Sequence, residues 1–248
     1  MKYIFANWKM YLNAEESKNL AMGLKLQTLP QGIEPAVFPT LLSFQQVQEI
    51  LQGTGFSMGV QNVNWVPKGA YTGAVSALIA HSAGAKYALV GHSERRYIFG
   101  ETDSDVGKKV QACQEVGLIP VVCIGETKED LEMNKKVYRL KKQVETIFAR
   151  DTIGSVMIAY EPVWAISSVK EGKACLPADA DDVIGWIKQE IKQYIDVAIP
   201  VLYGGSVSVE NCLEYMKMPS GDGLLIGFAS TEIESFSKIL QQVSVLEN

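Results

Sequence analysis

Short apolar runs alternate with longer amphipathic segments from one end of this 248-residue chain to the other. A compact apolar run bounded by polar residues predicts a buried strand, and apolar positions repeated every three or four residues predict a helix. Strands are expected at Tyr3–Ala6, Ala36–Phe38, Met58–Val60, Tyr87–Val90, Ile119–Ile124, Val156–Tyr160, Val201–Tyr203 and Leu224–Ile226. Helices are expected at Glu15–Leu26, Asp103–Glu115, Leu131–Phe148, Asp181–Tyr194 and Glu232–Val243. Because each helix must return the chain to the start of the next strand, the strands are expected to be parallel.

Two architectures can be built from about eight such units: a closed (β/α)8 barrel and an open sheet with helices on both faces. An open sheet that binds nucleotides carries a glycine-rich turn after its first strand. Here the first strand leads into Asn7–Met10, and no glycine occurs before Gly23. The length also suits a barrel, which typically needs about 250 residues. We therefore predict an α/β protein whose residues 1–248 form one (β/α)8 barrel domain.

Composition and short sequence patterns argue against several classes of function. A net charge of −5 argues against a general nucleic-acid or anionic-membrane surface, although a local site can still be positive. No apolar run approaches the roughly 20 residues that a membrane-spanning helix needs. Two histidines without a ligand-like cluster make a metal site unexpected. Four widely spaced cysteines and a strand that begins at once, with no signal peptide, predict reduced thiols and a cytoplasmic protein.

Polar residues follow several of the predicted strands directly, which is where a parallel barrel places its active site. Lys9 follows the first strand and could hold a phosphate or a developing oxyanion, although an isolated lysine is more often solvated. His92 follows the fourth strand and could donate a hydrogen bond to a carbonyl, with Glu94 and Arg95 as supporting charges. It could equally cap the next helix together with Ser93.

A carboxylate, Glu161, follows the sixth strand within Ala159–Trp164. Apolar surroundings tend to raise the pKa of a carboxyl group, which suits a general base near neutral pH, but a structural ion pair is an equal alternative. Glycines at the ends of the last two strands, in Tyr203–Ser206 and Gly227–Ser230, could present backbone N–H groups to a phosphate. Tight turns also use such glycines.

The fifth predicted strand ends at Cys123–Glu126. Cys123 is expected to be a packed small side chain, because no second histidine lies in a triad-like context. Glu126 is expected to be an ion-pair partner within the site or a helix-capping acid.

Together, in order and spacing, these motifs resemble the triosephosphate isomerase family from the first strand to the last helix. The most specific stretches are Ala6–Met10, Gly91–Arg96, Phe99–Asp103, Cys123–Glu126, Tyr160–Ile166 and Tyr203–Val207. The resemblance implies a TIM barrel that interconverts dihydroxyacetone phosphate and D-glyceraldehyde 3-phosphate through an enediolate, in glycolysis and gluconeogenesis. It implies a small-molecule triose phosphate as substrate and no cofactor.

The resemblance also implies roles for individual residues. Glu161 matches the base that moves the proton between C1 and C2, and His92 matches the group that polarises the carbonyl. Lys9 matches the charge that stabilises the enediolate and the phosphate, Asn7 a substrate-orienting amide, and Glu94 a supporting acid. Phosphate-binding positions match Ser167 in the lid, Gly205, Ser206, Gly227 and Phe228.

Three positions depart from the family pattern. The lid that follows the tryptophan, within Pro162–Lys173, lacks the usual tip glycine and has three extra residues. Phe228 replaces the second glycine of a usual pair after the last strand. Ala74 stands where the family has a glutamate that reaches an arginine, here Arg95, on the partner subunit. We therefore expect Arg95 to pair with Glu101 or Glu94 of its own chain.

In the family, the loop that corresponds to Asn64–Gly73 inserts into a second subunit and places the residue that matches Thr72 near the site. The chain is therefore expected to form a homodimer through this loop. Two other interpretations remain open from the sequence. The chain could isomerise another phosphorylated ketose, such as a four-carbon one, or it could bind sugar phosphates without turnover.

Overall fold

A computed structural model describes residues 1–148, 154–166 and 175–244. It contains a closed barrel of eight parallel strands in the chain order β1 to β8. The strands are β1 (Lys2–Asn7), β2 (Ile33–Phe38), β3 (Ser57–Val60), β4 (Tyr87–Val90), β5 (Ile119–Ile124), β6 (Met157–Tyr160), β7 (Val201–Tyr203) and β8 (Gly223–Ile226). The barrel closes where β1 pairs with β8, with Ala6 opposite Ile226. The prediction of a (β/α)8 barrel is confirmed.

Helices connect the strands on the outside of the barrel. They are α1 (Ala14–Lys25), α2 (Leu41–Leu51), α3 (Ala77–Ser82), α4 (Ser93–Tyr97), α5 (Asp103–Glu115), α6 (Lys128–Glu132), α7 (Lys136–Phe148), α8 (Pro177–Ile191), α9 (Cys212–Met216) and α10 (Ile233–Ser244). Short 3-10 helices occupy Val163–Ala165 and Phe228–Ser230. Local sequence sets several of these boundaries. Asn13 and Glu16, for example, form reciprocal hydrogen bonds that start α1.

The prediction of one continuous helix over Leu131–Phe148 is wrong, because this region contains the end of one helix and the whole of the next. The structure ends α6 at Glu132 and starts α7 at Lys136. Between them Asn134 has a φ of 53°, in the left-handed region, which interrupts a right-handed helix. Asparagine tolerates this conformation better than most residues, so the break has a local cause that helical periodicity alone does not reveal.

Two apolar cores lie on opposite faces of the strands. Inside the barrel, Phe5 packs with Phe38 and Tyr87, and Cys123 belongs to the same cluster. Outside, neighbours of Phe5 such as Ile4 pack against the helices. Since both faces are buried, the strands appear in the sequence as continuous apolar runs. These apolar runs are interrupted by polar residues at the ends of the strands.

Candidate active site

Lys9 lies in a tight turn after β1, over Trp8–Tyr11, and its backbone has a φ of 50°. A lysine in this left-handed region is strained and persists only where its surroundings hold it. Its N–H donates to Asn7 Oδ1 at 3.0 Å, and its carbonyl accepts from Gln61 Nε2 at 2.7 Å. Its Nζ lies 2.8 Å from Glu94 Oε1. The turn thus directs one ammonium group toward the end of β4.

His92 follows β4 after Gly91 and precedes the first residue of α4. Its Nδ1 accepts a hydrogen bond from the backbone N–H of Glu94 at 3.3 Å, so this nitrogen carries a lone pair. The hydrogen of the neutral ring is therefore on Nε2, which lies 3.1 Å from Glu161 Oε1. The structural alternative left open by the sequence is therefore confirmed, because His92 caps α4; its other ring nitrogen faces the buried carboxylate.

Glu161 is almost fully buried after β6. Its second oxygen, Oε2, accepts the backbone N–H of Ser93 at 3.0 Å. Burial raises the pKa of Glu161, but His92, the Ser93 N–H and Lys9 together hold the pKa below its ordinary value. Three partners therefore oppose the raised pKa that apolar surroundings alone would give, and they favour the ionised carboxylate.

Two glycines allow the chain to approach Glu161 closely. A Cβ atom at Gly125 would lie 1.7 Å from the carbonyl oxygen of Glu161. A Cβ atom at Gly204 would lie 3.0 Å from Glu161 Cγ. Larger residues at either position would displace the strand end that carries the carboxylate. The glycines that follow β5 and β7 therefore help to set the position of Glu161.

Within residues 1–148, 154–166 and 175–244, Glu126 forms no ion pair and caps no helix, so neither expectation for it is met there. Its side chain is fully buried and accepts hydrogen bonds from Tyr160 Oη at 3.1 Å and Trp164 Nε1 at 2.8 Å. The cap of α6 is the neighbouring Thr127. Glu126 thus fixes the first turn after Glu161, where its carbonyl also accepts the N–H of Val163 at 3.0 Å.

The predicted phosphate-binding residues follow two adjacent strands. Gly205 and Ser206 come after β7, and Gly227 and Phe228 come after β8. Gly227 lies beside Lys9, because a Cβ atom built on it would be 3.7 Å from Nζ. Ser167, and the lid prediction from residue 167 to Lys173, lie outside the described residues.

A cleft of about 1080 Å³ adjoins the site. It is lined by Asn7, Lys9 and His92, and also by residues of the Asn64–Gly73 loop and Ala74. Beside it, Arg95 Nε lies 2.8 Å from Glu101 Oε2. The expected pairing of Arg95 within its own chain is confirmed, with Glu101 rather than Glu94 as partner.

Sequence reasoning missed Gln61. This residue follows β3 directly, and its amide donates to the carbonyls of Lys9 and Phe38, the latter at 2.9 Å. The signal was available, because Gln61 is a polar residue at a strand end like the others. A neutral amide at this position indicates no chemical role from the sequence alone. Its hydrogen bonds to the carbonyls of Lys9 and Phe38 are seen only in the folded structure.

Residues 1–148, 154–166 and 175–244 include no cluster of three or more metal-ligating side chains. No helix in the same ranges is long and apolar enough to cross a bilayer.

The amino-acid sequence is similar to known proteins over nearly its whole length. A family model described as triosephosphate isomerase matches residues 2–243. A protein named triosephosphate isomerase from Aquifex aeolicus is 38% identical over 245 residues, which cover 96% of this chain and 98% of the relative. Another from Dehalococcoides mccartyi strain CBDB1 is 36% identical over 250 residues, covering 99% and 97%. A third, from Thermoanaerobacter sp. strain X514, is 38% identical over 245 residues, covering 96% and 97%.

The matched segment includes all eight strands and every polar strand end described above. A closed parallel barrel alone would not identify a family, because this fold carries many unrelated activities. Full-length similarity to several named relatives does. This chain is a member of the triosephosphate isomerase family.

Proposed function

We propose that the chain interconverts dihydroxyacetone phosphate and D-glyceraldehyde 3-phosphate. The observation that carries this proposal is the direct contact, 3.1 Å, between the buried carboxylate of Glu161 and the Nε2 of His92, whose Nδ1 accepts a backbone N–H. A base beside a neutral hydrogen-bond donor can remove a proton from carbon next to a carbonyl while the donor stabilises the oxygen. Membership of the triosephosphate isomerase family supports this reaction class.

The reaction moves two protons. Glu161 takes a proton from C1 of the ketose, the electron pair forms the C1–C2 double bond of an enediolate, and the same carboxyl group returns a proton to C2. The hydroxyl proton moves from O1 to O2, and the Nε2–H of His92 faces the carboxylate that works on this pair of carbons. Lys9 stabilises the negative charge on oxygen, and Asn7 and Glu94 orient the lysine. The chemistry requires no metal or organic cofactor.

We propose that the phosphate is held by backbone N–H groups of Gly205, Gly227 and Phe228, with the hydroxyl of Ser206 and a contact from Ser167. The proximity of Gly227 to Lys9 supports this assignment, since it brings a backbone donor and an ammonium to one end of the site. An anion with two negative charges would be attracted by both.

We further propose a homodimer that is assembled through the Asn64–Gly73 loop, with the chain acting as one barrel domain in the cytoplasm, in glycolysis and gluconeogenesis. Apolar side chains around the cleft support a protein partner there. Met10 is 91% exposed, Ile98 73% and Phe99 67%. Side chains of this kind favour burial against a second surface, and a second copy is the partner that two-fold symmetry supplies.

The proposal is tested with purified protein and two substrates. We expect turnover of D-glyceraldehyde 3-phosphate with a kcat/KM far above that for a four-carbon ketose phosphate. A reversed preference would assign the site to a longer substrate. Binding of both phosphates without turnover of either would show a binding protein and contradict the isomerase assignment.

A further inference from the structure

Two aromatic rings meet above the place where the barrel closes. Tyr11, at the end of the Lys9 turn, lies 5.5 Å from Phe228, measured between ring centroids, with an angle of 79° between the ring planes. This edge-to-face geometry is a favoured arrangement for aromatic pairs. Both rings remain about half exposed, 50% for Tyr11 and 53% for Phe228. The pair is therefore a contact between two loops rather than part of either core.

The Lys9 turn is held by different contacts on its two sides. Asn7 and Gln61 hold the amide and the carbonyl of Lys9 itself, as described above. The next residue, Met10, is 91% exposed and packs little against its own chain. Tyr11 then closes the turn with a 3.3 Å hydrogen bond from its N–H to the Trp8 carbonyl. Its ring contact with Phe228 joins the strained turn to a separate strand.

Phe228 presents its ring from a rigid turn. Its carbonyl accepts the N–H of Thr231 at 2.9 Å and the hydroxyl of the same threonine at 2.8 Å. The hydroxyl of Ser230 donates to the carbonyls of Ile226 and Gly227, at 3.0 and 2.7 Å. These bonds fix the segment after β8, so that segment can act as a support for a neighbouring loop.

The segment that follows β8 also lies close to the side chain of Lys9. A Cβ atom on Gly227 would lie 3.3 Å from Lys9 Cε, and the Lys9 side chain is only 12% exposed. The end of β8 thus contacts the Lys9 turn twice, through Gly227 at the ammonium end and through Phe228 at Tyr11. A shift of the turn would move the ammonium away from Gly227.

We propose that Tyr11 and Phe228 form a positioning pair that clamps the Lys9 turn to the end of β8 and so fixes the lysine ammonium at the phosphate end of the site. The inference rests on the proposed function, in which that ammonium faces the substrate. It also explains why a bulky side chain is accommodated at position 228. The ring points to Tyr11, while the backbone beside Gly227 stays free for the anion.

The test compares full-length Tyr11→Leu, Phe228→Leu and the double variant with the unmodified protein. Affinity for inorganic phosphate is measured by calorimetry, and KM and kcat are measured with D-glyceraldehyde 3-phosphate. We expect each single change to weaken phosphate binding and kcat/KM by about 3- to 10-fold, the size of a lost aromatic pair. Because the rings act as a unit, the double variant should be within about twofold of the weaker single variant.

Two further variants separate positioning from a general loss of structure. Tyr11→Phe keeps the ring and should restore phosphate affinity relative to Tyr11→Leu. Tyr138→Leu removes an exposed ring, 66% accessible, from α7 on the opposite side of the barrel and should change neither affinity nor kcat/KM. Circular dichroism verifies that every variant is folded.

Unchanged phosphate affinity in both folded single variants would overturn the inference, and so would losses that multiply in the double variant. Absence of isomerase activity in the unmodified protein would contradict the proposed function instead. The phosphate measurements would still decide the role of the pair in that case, because they do not depend on turnover.

Discussion

Two groups of charges lie at the same rim of the barrel and are built partly from the same short segment after β4. The first, which we propose to be catalytic and call the catalytic group, consists of Lys9, His92, Glu94 and Glu161. The structural group consists of Arg95, Arg96, Glu101, Asp103 and Lys109. Neighbours in sequence, Glu94 and Arg95, thus belong to different groups. The difference between the groups lies in the number of fixed partners that each charge has.

In the structural group each acid is held from several sides. Glu101 accepts from Arg95, from Lys109 and, at 3.1 Å, from the backbone N–H of Gly91. Arg96 donates to Asp103 at 2.6 Å and to the carbonyls of Gly91 and Cys123. Such networks, in which each carboxylate has more than one cationic partner, fix a conformation.

In the catalytic group the contacts are fewer and can be exchanged. The Nε2–H of His92 and the ammonium of Lys9 each face one carboxylate, Glu161 and Glu94 respectively. A substrate oxygen can replace either carboxylate as acceptor without leaving a buried backbone group unpaired. The same residue types can therefore stabilise the fold or take part in chemistry, depending on how many hydrogen-bond and ion-pair partners each side chain already has.

The largest expected effect tests the catalytic group. Glu161→Gln should lower kcat by about 1,000- to 10,000-fold, because the amide cannot accept the proton from carbon. The amide oxygen can still accept one N–H from His92 or Ser93, so the variant should fold and bind phosphate. Stopped assays at high enzyme concentration measure the residual rate.

The matched control is Glu126→Gln, which neutralises the other buried carboxylate at an adjacent strand end. Its oxygen contacts Tyr160 and Trp164, so kcat should remain within about tenfold of the unmodified enzyme. Near-normal turnover by Glu161→Gln would contradict the assignment of the base, and equal losses in both variants would remove the distinction.

The next effect tests the structural group. Glu101→Gln should lower the free energy of unfolding by about 3 kcal/mol at neutral pH, because it leaves the buried Lys109 without its carboxylate. Lys109 keeps a 2.7 Å hydrogen bond to Asn62 Oδ1, which places the loss at the low end of the usual range for a broken buried pair. Urea unfolding measures the difference, and a stability equal to that of the unmodified protein would show that the network is dispensable.

The difference in stability between the unmodified protein and Glu101→Gln should also depend on pH. Burial raises the pKa of Glu101, but Lys109 and Arg95 lower it below its ordinary value of 4.5. Between the lowered folded pKa and 4.5, the unfolded chain binds more protons than the folded one, so stability rises with pH in that window. The advantage of the unmodified protein over Glu101→Gln should be fully present above pH 4.5 and shrink as the pH falls below it. An advantage that stays constant down to acid unfolding would contradict the pairing.

A smaller effect is expected where the two groups meet. Glu94→Gln removes the charge 2.8 Å from Lys9 Nζ but keeps an amide oxygen in place. Since Glu94 is partly exposed, solvent already weakens this pair, and we expect kcat/KM to fall by about 3- to 10-fold with little change in stability. Steady-state kinetics and thermal unfolding on the same sample separate the two quantities. A loss as large as that of Glu161→Gln would make Glu94 a proton carrier.

The smallest effect concerns assembly. Arg95 is paired with Glu101 in its own chain and packs over the Phe99 ring, with its guanidinium carbon 5.0 Å from the ring centroid. The proposed dimer therefore lacks this ion pair between subunits. We expect its dissociation constant to change less than about threefold between roughly 0.05 and 0.5 M salt. Sedimentation over a dilution series measures it, and strong weakening by salt would indicate charge pairs across the interface.

Much of the fold could be predicted because the barrel strands are buried on both faces. β4, β5 and β7 have the predicted bounds, since continuous apolar runs end abruptly at the polar residues that follow. The break between α6 and α7 could not be predicted from periodicity, because it depends on the backbone conformation of Asn134. Residues of the site were predicted one by one from their positions after strands, and the neutral amide of Gln61 was missed.

The sequence by itself determined the alternation of strands and helices, the residue types at each strand end and the membership of a family. Only the tertiary structure decided which charges meet. Glu161 lies beside His92 because only β5 separates β4 from β6, so the carboxyl ends of these two strands lie close together at one rim of the barrel. Its pKa is lowered although it is buried, and Phe228 joins Tyr11 across the seam between β1 and β8. These outcomes depend on distances between residues far apart in the chain, and side-chain pattern along one strand or helix contains no information about such distances.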